Sequence, residues 1–254
     1  MTKVENDTTR DPAPAVIIAG PRTGGTFLAH GLSNHPDVYC ERQEVLHLGS
    51  SYRMIEAGLS SLDILKIVWG QTGYLVSACK LQYSQAGYGG IWEHILERGA
   101  RIIHLCRRNK LRQAVSLIIN QMARDGAIPF HPQHARETPS RIAVTIDARR
   151  LQATAEQLIK DQTVWTSRLL ESGLPVLRLS YRAVIGEGVI SAKAVAPATA
   201  ERICEFLGVV PHALPVNLKR INPWPLDKMI ANWNDIEPLL GRPEFDGCEI
   251  GGTG

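Results

Sequence analysis

Residues 15–28 read Ala-Val-Ile-Ile-Ala-Gly-Pro-Arg-Thr-Gly-Gly-Thr-Phe-Leu, an apolar run that meets a glycine-rich turn and resumes at helical spacing. Val16, Ile17 and Ile18 predict a strand, Gly20-Pro21 end it, and Thr26, Phe27, Leu28 and Ala29 lead with Leu32 into a helix. Backbone N–H groups from Thr23 to Phe27 then converge on one spot. Gly24 and Gly25 lack a Cβ and admit an anionic group close to the backbone, and the helix N-terminus adds its partial positive charge. Arg22 contributes a full charge and a planar fork of donors. Taken alone, such a loop suits an ordinary glycine turn of an α/β protein as well as a phosphate cradle.

The mismatch with the common nucleotide loop narrows the ligand. A G-x-x-x-x-G-K-[ST] loop uses its lysine on the β/γ-phosphates and its hydroxyl residue on magnesium. Gly20 and Gly25 have that separation, but Thr26 occupies the lysine position. The cation of this loop is Arg22, displaced towards the strand end, which serves a metal-bound polyphosphate poorly and a smaller diester or mixed anhydride better. The dinucleotide fingerprint G-x-G-x-x-G is absent, because Gly20 and Gly24-Gly25 are wrongly spaced.

The rest of the chain predicts alternating strands and helices, hence an α/β fold with a central, mainly parallel sheet flanked by helices. Strands are expected at 74–80, 101–106 and 176–181, and helices at 55–69, 91–97, 111–122, 151–172, 198–207 and 226–240. A short segment at 38–40, followed by Glu41-Arg42-Gln43-Glu44, is placed to bring side chains near the loop. Residues 127–139 hold three prolines, His131 and His134 without periodicity, and read as a surface loop or lid; 185–196 read as a mobile connection. The polar residues 1–14 have no apolar signal core and read as a disordered lead-in to one domain over 15–254.

With 254 residues, of which 44% are hydrophobic, the chain can bury a substantial core. A net charge of +3 is too small to argue for nucleic acid or membrane as a partner. The 5 cysteines are widely separated and have no metal-ligand spacing with the histidines, so reduced thiols, a cytoplasmic setting and no metal are expected. Oligomeric state stays open, a homo-oligomer included.

The loop, the unit from 101 to 117 and the tail together resemble the sulfotransferases that use 3′-phosphoadenosine 5′-phosphosulfate (PAPS). Pro21-Arg-Thr-Gly-Gly-Thr-Phe-Leu28 is similar to the family's 5′-phosphosulfate loop, in the form with arginine seen in its carbohydrate and tyrosylprotein branches; Gly25 replaces a usual serine or threonine. Residues 102–117 resemble its 3′-phosphate segment, in which a strand-end arginine and a helix serine eight positions later grip that phosphate. Arg108 and Ser116 have this spacing, with Arg107 as rival to Arg108. The resemblance implies a P-loop-like sulfotransferase architecture spanning most of the chain, and a nucleotide lying across the carboxyl ends of the strands.

The same resemblance implies the site. Arg22, Thr23, Gly24, Gly25, Thr26 and Phe27 would hold the 5′ end of PAPS, or of its product 3′-phosphoadenosine 5′-phosphate (PAP), and Arg108 with Ser116 the 3′ end. Lys219 and Arg220 would close over the nucleotide. Glu44, in Gln43-Glu-Val-Leu-His47, resembles a catalytic glutamate that takes the acceptor's proton; His47 is the second candidate base. Lys80 resembles a strand lysine that reaches the sulfuryl centre, and Arg22 would offset charge on the departing phosphate. A hydroxyl, or less readily an amine, of a small molecule or saccharide is the expected acceptor. The competing readings are a phosphoryl transferase of the nucleotide-kinase type and a catalytically inactive nucleotide-binding protein.

Overall fold

The structure is a computed structural model that describes residues 11–44, 58–128, 143–186, 192–218 and 225–240, with Gln43, Glu44 and Leu240 as backbone only. The strands are β1 (Ala13–Ala19), β2 (Val38–Glu44), β3 (Val76–Gln82), β4 (Arg101–Cys106) and β5 (Val176–Ser180). They form one sheet in the order β2-β3-β1-β4-β5, and every pairing is parallel. The α/β expectation therefore holds. The helices are α1 (Gly25–Leu32), α2 (Ser61–Trp69), α3 (Tyr83–Ala86), α4 (Ile91–Glu97), α5 (Lys110–Arg124), α6 (Ala148–Glu171), α7 (Tyr181–Ile185), α8 (Pro197–Leu207), α9 (Leu226–Met229) and α10 (Trp233–Leu240).

The central strand explains itself. Val16, Ile17 and Ile18 are each 0% exposed, as an unbroken apolar run must be when both faces of a parallel strand are covered. Ala15, Ile17 and Ala19 pack with α1 and α8, while Val16 and Ile18 pack with α2, α4 and the end of α6. A third cluster lies outside the sheet, where Leu111, Ala114, Val115 and Ile118 of α5 meet Leu151, Ala155 and Leu158 of α6, closed over by α9 and α10. The site-bearing helix α5 is thus held by a core of its own.

Several boundaries differ from expectation for local reasons. The helix expected from 55 begins at Ser61, because Ser60 and Asp63 form a reciprocal capping box. The strand expected at 74–80 lies at 76–82, in register with the whole of β1 from Ala13↔Val76 to Ala19↔Gln82, so Lys80 sits inside β3. Asp147 starts α6 earlier than expected by accepting from the Arg150 N–H at 2.6 Å. The helix expected over 226–240 is two pieces. Ile230 is extended and bridges to Val144, and Asn232 holds the Ile146 backbone through both its amide N–H (2.9 Å) and its oxygen (3.0 Å). The connection expected to be mobile is anchored at its end, since the Val195 and Ala196 N–H groups donate to Leu214 and Val184 carbonyls. Of the loop expected at 127–139, residues 129–139 lie outside the described part, as do residues 187–191 of the connection expected at 185–196. Among the described residues no helix is long and apolar enough to cross a membrane.

Ile17→Ala opens a cavity in the central strand and is expected to cost about 3 kcal/mol, against less than about 0.5 kcal/mol for the exposed Val164→Ala. Urea unfolding followed by circular dichroism measures both, and a larger shift for Val164→Ala would contradict this account of the core.

Candidate functional site

The turn from β1 into α1 sits at the carboxyl edge of the sheet and is pinned from within and without. Thr23 Oγ1 donates to the Gly20 carbonyl at 2.8 Å, Gln113 Nε2 to Pro21 at 2.7 Å, and Arg107 Nη1 to Arg22 at 3.1 Å. Among the described residues Arg22 alone has a positive φ without being glycine, at 60°. That conformation costs about 1 kcal/mol and persists where neighbours hold it. Among the described residues no side chain caps α1, whose N-cap is Gly24 at φ 89°; the first N–H groups of any helix lack an intrahelical acceptor and need partners from outside it. By contrast Asn109 closes the start of α5, accepting from the Arg112 N–H at 2.7 Å. An anion at the second turn must therefore be held chiefly by side chains.

Each of the paired glycines makes room for a particular neighbour. A Cβ on Gly24 would lie 2.6 Å from Tyr181 Cδ2, and one on Gly25 would lie 2.8 Å from Lys80 Cδ. The departure from serine or threonine at Gly25 thus has a steric cause: the Lys80 stem crosses there. Lys80 is only 5% exposed, and its Nζ donates to Thr26 Oγ1 at 2.7 Å. The lysine is drawn onto the loop. Thr23 keeps its hydroxyl on the loop itself and has its backbone N–H to offer.

The two turns meet through Arg22, whose Nε donates to Ser116 Oγ at 3.0 Å. Ser116 lies on the second turn of α5. After β4, Arg107 turns inward beneath the loop and stacks over Tyr181 at 5.0 Å from the ring centroid, whereas Arg108 is exposed. The Glu44 backbone pairs with Lys80 across β2 and β3. The Glu44 side chain, His47, Lys219 and Arg220 lie outside the described residues.

Two features escaped the sequence reading. Lys110, 1% exposed, donates to the Arg107 carbonyl at 2.6 Å and to Gln162 Oε1 at 2.5 Å, and with Gln113 links α6 to the loop. The available signal was a pair of polar residues, Lys110 and Gln113, flanking the apolar face of α5. Tyr181, assigned no chemistry from the sequence, walls the glycine turn.

A sequence profile described as Stf0 sulphotransferase matches residues 55–222, well over half of the chain. The chain belongs to that family. The matched stretch includes Lys80, Arg107, Arg108, Ser116 and Tyr181, while the glycine loop and Glu44 precede it. No curated protein sequence matches significantly. Among solved structures, the chain is similar to the mouse sulfotransferase SULT7A1 complexed with PAP, at 15% identity and a TM-score of 0.43 over 80% of this chain; it spans 60% of that protein's length. It is also similar to the sulfotransferase domain of the Synechococcus PCC 7002 olefin synthase, at 17% identity and a TM-score of 0.38, covering 99% of this chain and 94% of that one.

Beneath the loop of this family member lies a buried polar floor. Tyr83 Oη meets His104 Nε2 at 2.9 Å, and Cys106 Sγ lies 3.4 Å from the same nitrogen. Tyr83 also stacks on Trp165 at 5.6 Å, and Trp69 donates to the Ala15 carbonyl at 3.1 Å, so both aromatics belong to the core. Burial, then the Arg178 and Lys110 charges, push His104 down to about 4 and keep the imidazole neutral. Burial likewise pushes the Cys40 thiol up to about 12, and that of Cys79 well above its usual value. Cys40, Cys79, Cys106 and Cys204 are unbridged. Among the described residues no cluster of His, Cys, Asp or Glu is grouped to hold a metal.

Gly24→Ala is expected to destabilise the fold and the loop more than Gly25→Ala, because it meets an aromatic ring at positive φ whereas Lys80 can bend; thermal unfolding of the two variants checks the order. His104 sets a pH dependence of definite sign. Its folded pKa of about 4 lies below the unfolded value of about 6.5, so the unfolded chain binds the extra proton first as pH falls. Nothing is lost above pH 7. Between about pH 6.5 and 4 the His104 contribution should fall by on the order of 3 kcal/mol, and urea titrations of His104→Gln should show a shallower acid limb.

Proposed function

We propose that the chain transfers a sulfuryl group from PAPS to a hydroxyl, less readily an amine, of a small-molecule or saccharide acceptor. The Arg22–Ser116 hydrogen bond carries this reading, because it joins the two turns whose residues resemble the 5′-phosphosulfate and 3′-phosphate segments. A donor with phosphates on both sides of one ribose needs two adjacent anion sites. The α1 N-terminus, which has no side-chain cap among the described residues, and the cradle at Gly24 and Gly25 fit the first, and Arg108 with Ser116 fit the second. The absence of a lysine at Thr26 speaks against a magnesium-triphosphate enzyme.

PAPS supplies a sulfur bonded to a phosphate oxygen that leaves readily once its charge is met. The protein's part is binding, positioning and proton transfer. N–H groups from Thr23 to Phe27 hold the 5′-phosphate, with Lys219 and Arg220 closing over the nucleotide. Glu44 takes the acceptor's proton, with His47 as the second candidate, while the acceptor oxygen bonds to sulfur and the sulfur–phosphate oxygen bond breaks. Arg22 and Lys80 offset charge on the departing phosphate. Both are held before reaction, Arg22 by Ser116 and Lys80 by Thr26, so little reorganisation is needed. No step calls on a metal.

Calorimetry with PAP tests the donor: binding in the micromolar range is expected, and none at high micromolar concentration would remove the assignment. Arg22→Ala and Arg108→Ala should each weaken it at least about tenfold through loss of charge-assisted bonds. Glu44→Gln should retain PAP binding and slow sulfuryl transfer, whereas unchanged turnover would exclude Glu44 as the base. Magnesium-dependent ATP turnover would favour the kinase reading instead, and PAP binding without transfer to a broad acceptor panel the inactive one.

A further inference from the structure

Arg107 and Arg108 are adjacent in sequence and take opposite paths. Arg108 is exposed at the carboxyl edge, while Arg107 is 9% exposed and runs back under the glycine turn. Its guanidinium lies over the Tyr181 ring, and its Nη1 donates to the main-chain carbonyl of Arg22. The direction of that carbonyl depends on the Arg22 φ and ψ together, so a donor that holds the carbonyl restricts the combinations open to Arg22. Arg22 is the residue held at φ 60°. A charge-assisted hydrogen bond outweighs the penalty of one left-handed residue. Tyr181 braces the same turn a second time, because its ring fills the space beside Gly24.

From these contacts we infer that Arg107, seated on Tyr181, is a positioning residue: it holds the Arg22 backbone left-handed so that Arg22 Nε reaches Ser116, and the 3′ anion falls to Arg108. The conformational part stands on the loop geometry; the catalytic purpose rests on the donor reading given above. Lysine cannot replace this arginine, because one planar group serves the ring face and the carbonyl together. Phenylalanine can replace Tyr181, because the ring rather than the hydroxyl does the bracing.

Two measurements test the clamp and separate its failure from that of the donor reading. The first is a ligand-free crystal structure of Arg107→Met, with Tyr181→Leu as a second variant should the first fold poorly. Arg22 is expected to leave positive φ and release Ser116; Arg22 staying near φ 60° and bonded to Ser116 in a variant would overturn the clamp. The second is a double-mutant cycle by PAP calorimetry. Arg107→Met should weaken binding about tenfold alone but less than about twofold in an Arg22→Ala background, since it acts through Arg22. Arg107→Lys should behave like Arg107→Met, and Tyr181→Phe like the unmodified protein. Multiplicative losses, or rescue by lysine, would make Arg107 a direct phosphate ligand and overturn the inference. A protein that binds no PAP removes the donor reading, and the crystal structures still decide the clamp.

Discussion

The hydrogen bond from Arg22 to Ser116 depends on where two neighbouring strands end, and the rest of the site is arranged around that meeting. β1 and β4 pair in parallel up to Ala19↔Leu105, so the turns that leave them emerge side by side. The helix α5 then carries Ser116 back towards the first turn, held in place by its own core against α6. Because β1 is buried and packed on both faces, the loop grows from a strand with little room to deform. A short, strained turn keeps its shape on such a base, since a dense interior gives little room to relax.

Charge is gathered on this edge out of proportion to the chain as a whole. The net charge is only +3, yet Arg22, Arg107, Arg108 and Lys110 cluster about the turns after β1 and β4, and Lys80 reaches the first of these turns from within β3. Lys80, Arg107 and Lys110 are buried, each with polar partners that limit the cost of desolvation. Low-dielectric walls focus such charges onto the open side of the site. The neutral His104 beneath avoids adding one more cation in the core.

The legible parts of the fold were those with a local cause. The run Val16 to Ile18, the break at Gly20-Pro21 and the helix spacing from Thr26 all appear in the structure, as does the α/β alternation. Boundaries slipped where a cap or a distant partner set them: Ser60 with Asp63 delays α2, and Asn232 with Ile146 divides the terminal helix. In the site, Arg22 could be singled out by residue type and place in the turn, and Lys80 and Ser116 through the resemblance to the sulfotransferases, but their mutual contacts could not. Gly24 and Gly25 invited an explanation by anion approach alone. Their neighbours Tyr181 and Lys80, far away in sequence, add the steric one.

The sequence by itself determined a strand, glycine turn and helix with an arginine at the bend, a second strand-to-helix unit carrying Arg107, Arg108 and Ser116, and the parallel sheet their alternation requires. Those are consequences of residue type and short-range spacing, which a chain expresses without knowing its distant parts. Only the tertiary structure decided that Arg22 is left-handed and bonded to Ser116, that Lys80 lies over Gly25, and that Arg107 turns inward onto Tyr181 while Arg108 faces out. Each of these depends on strand order and register, which bring together segments up to 157 residues apart (181 − 24 for Tyr181 and Gly24). Packing across such separations selects one arrangement from several that local chemistry allows.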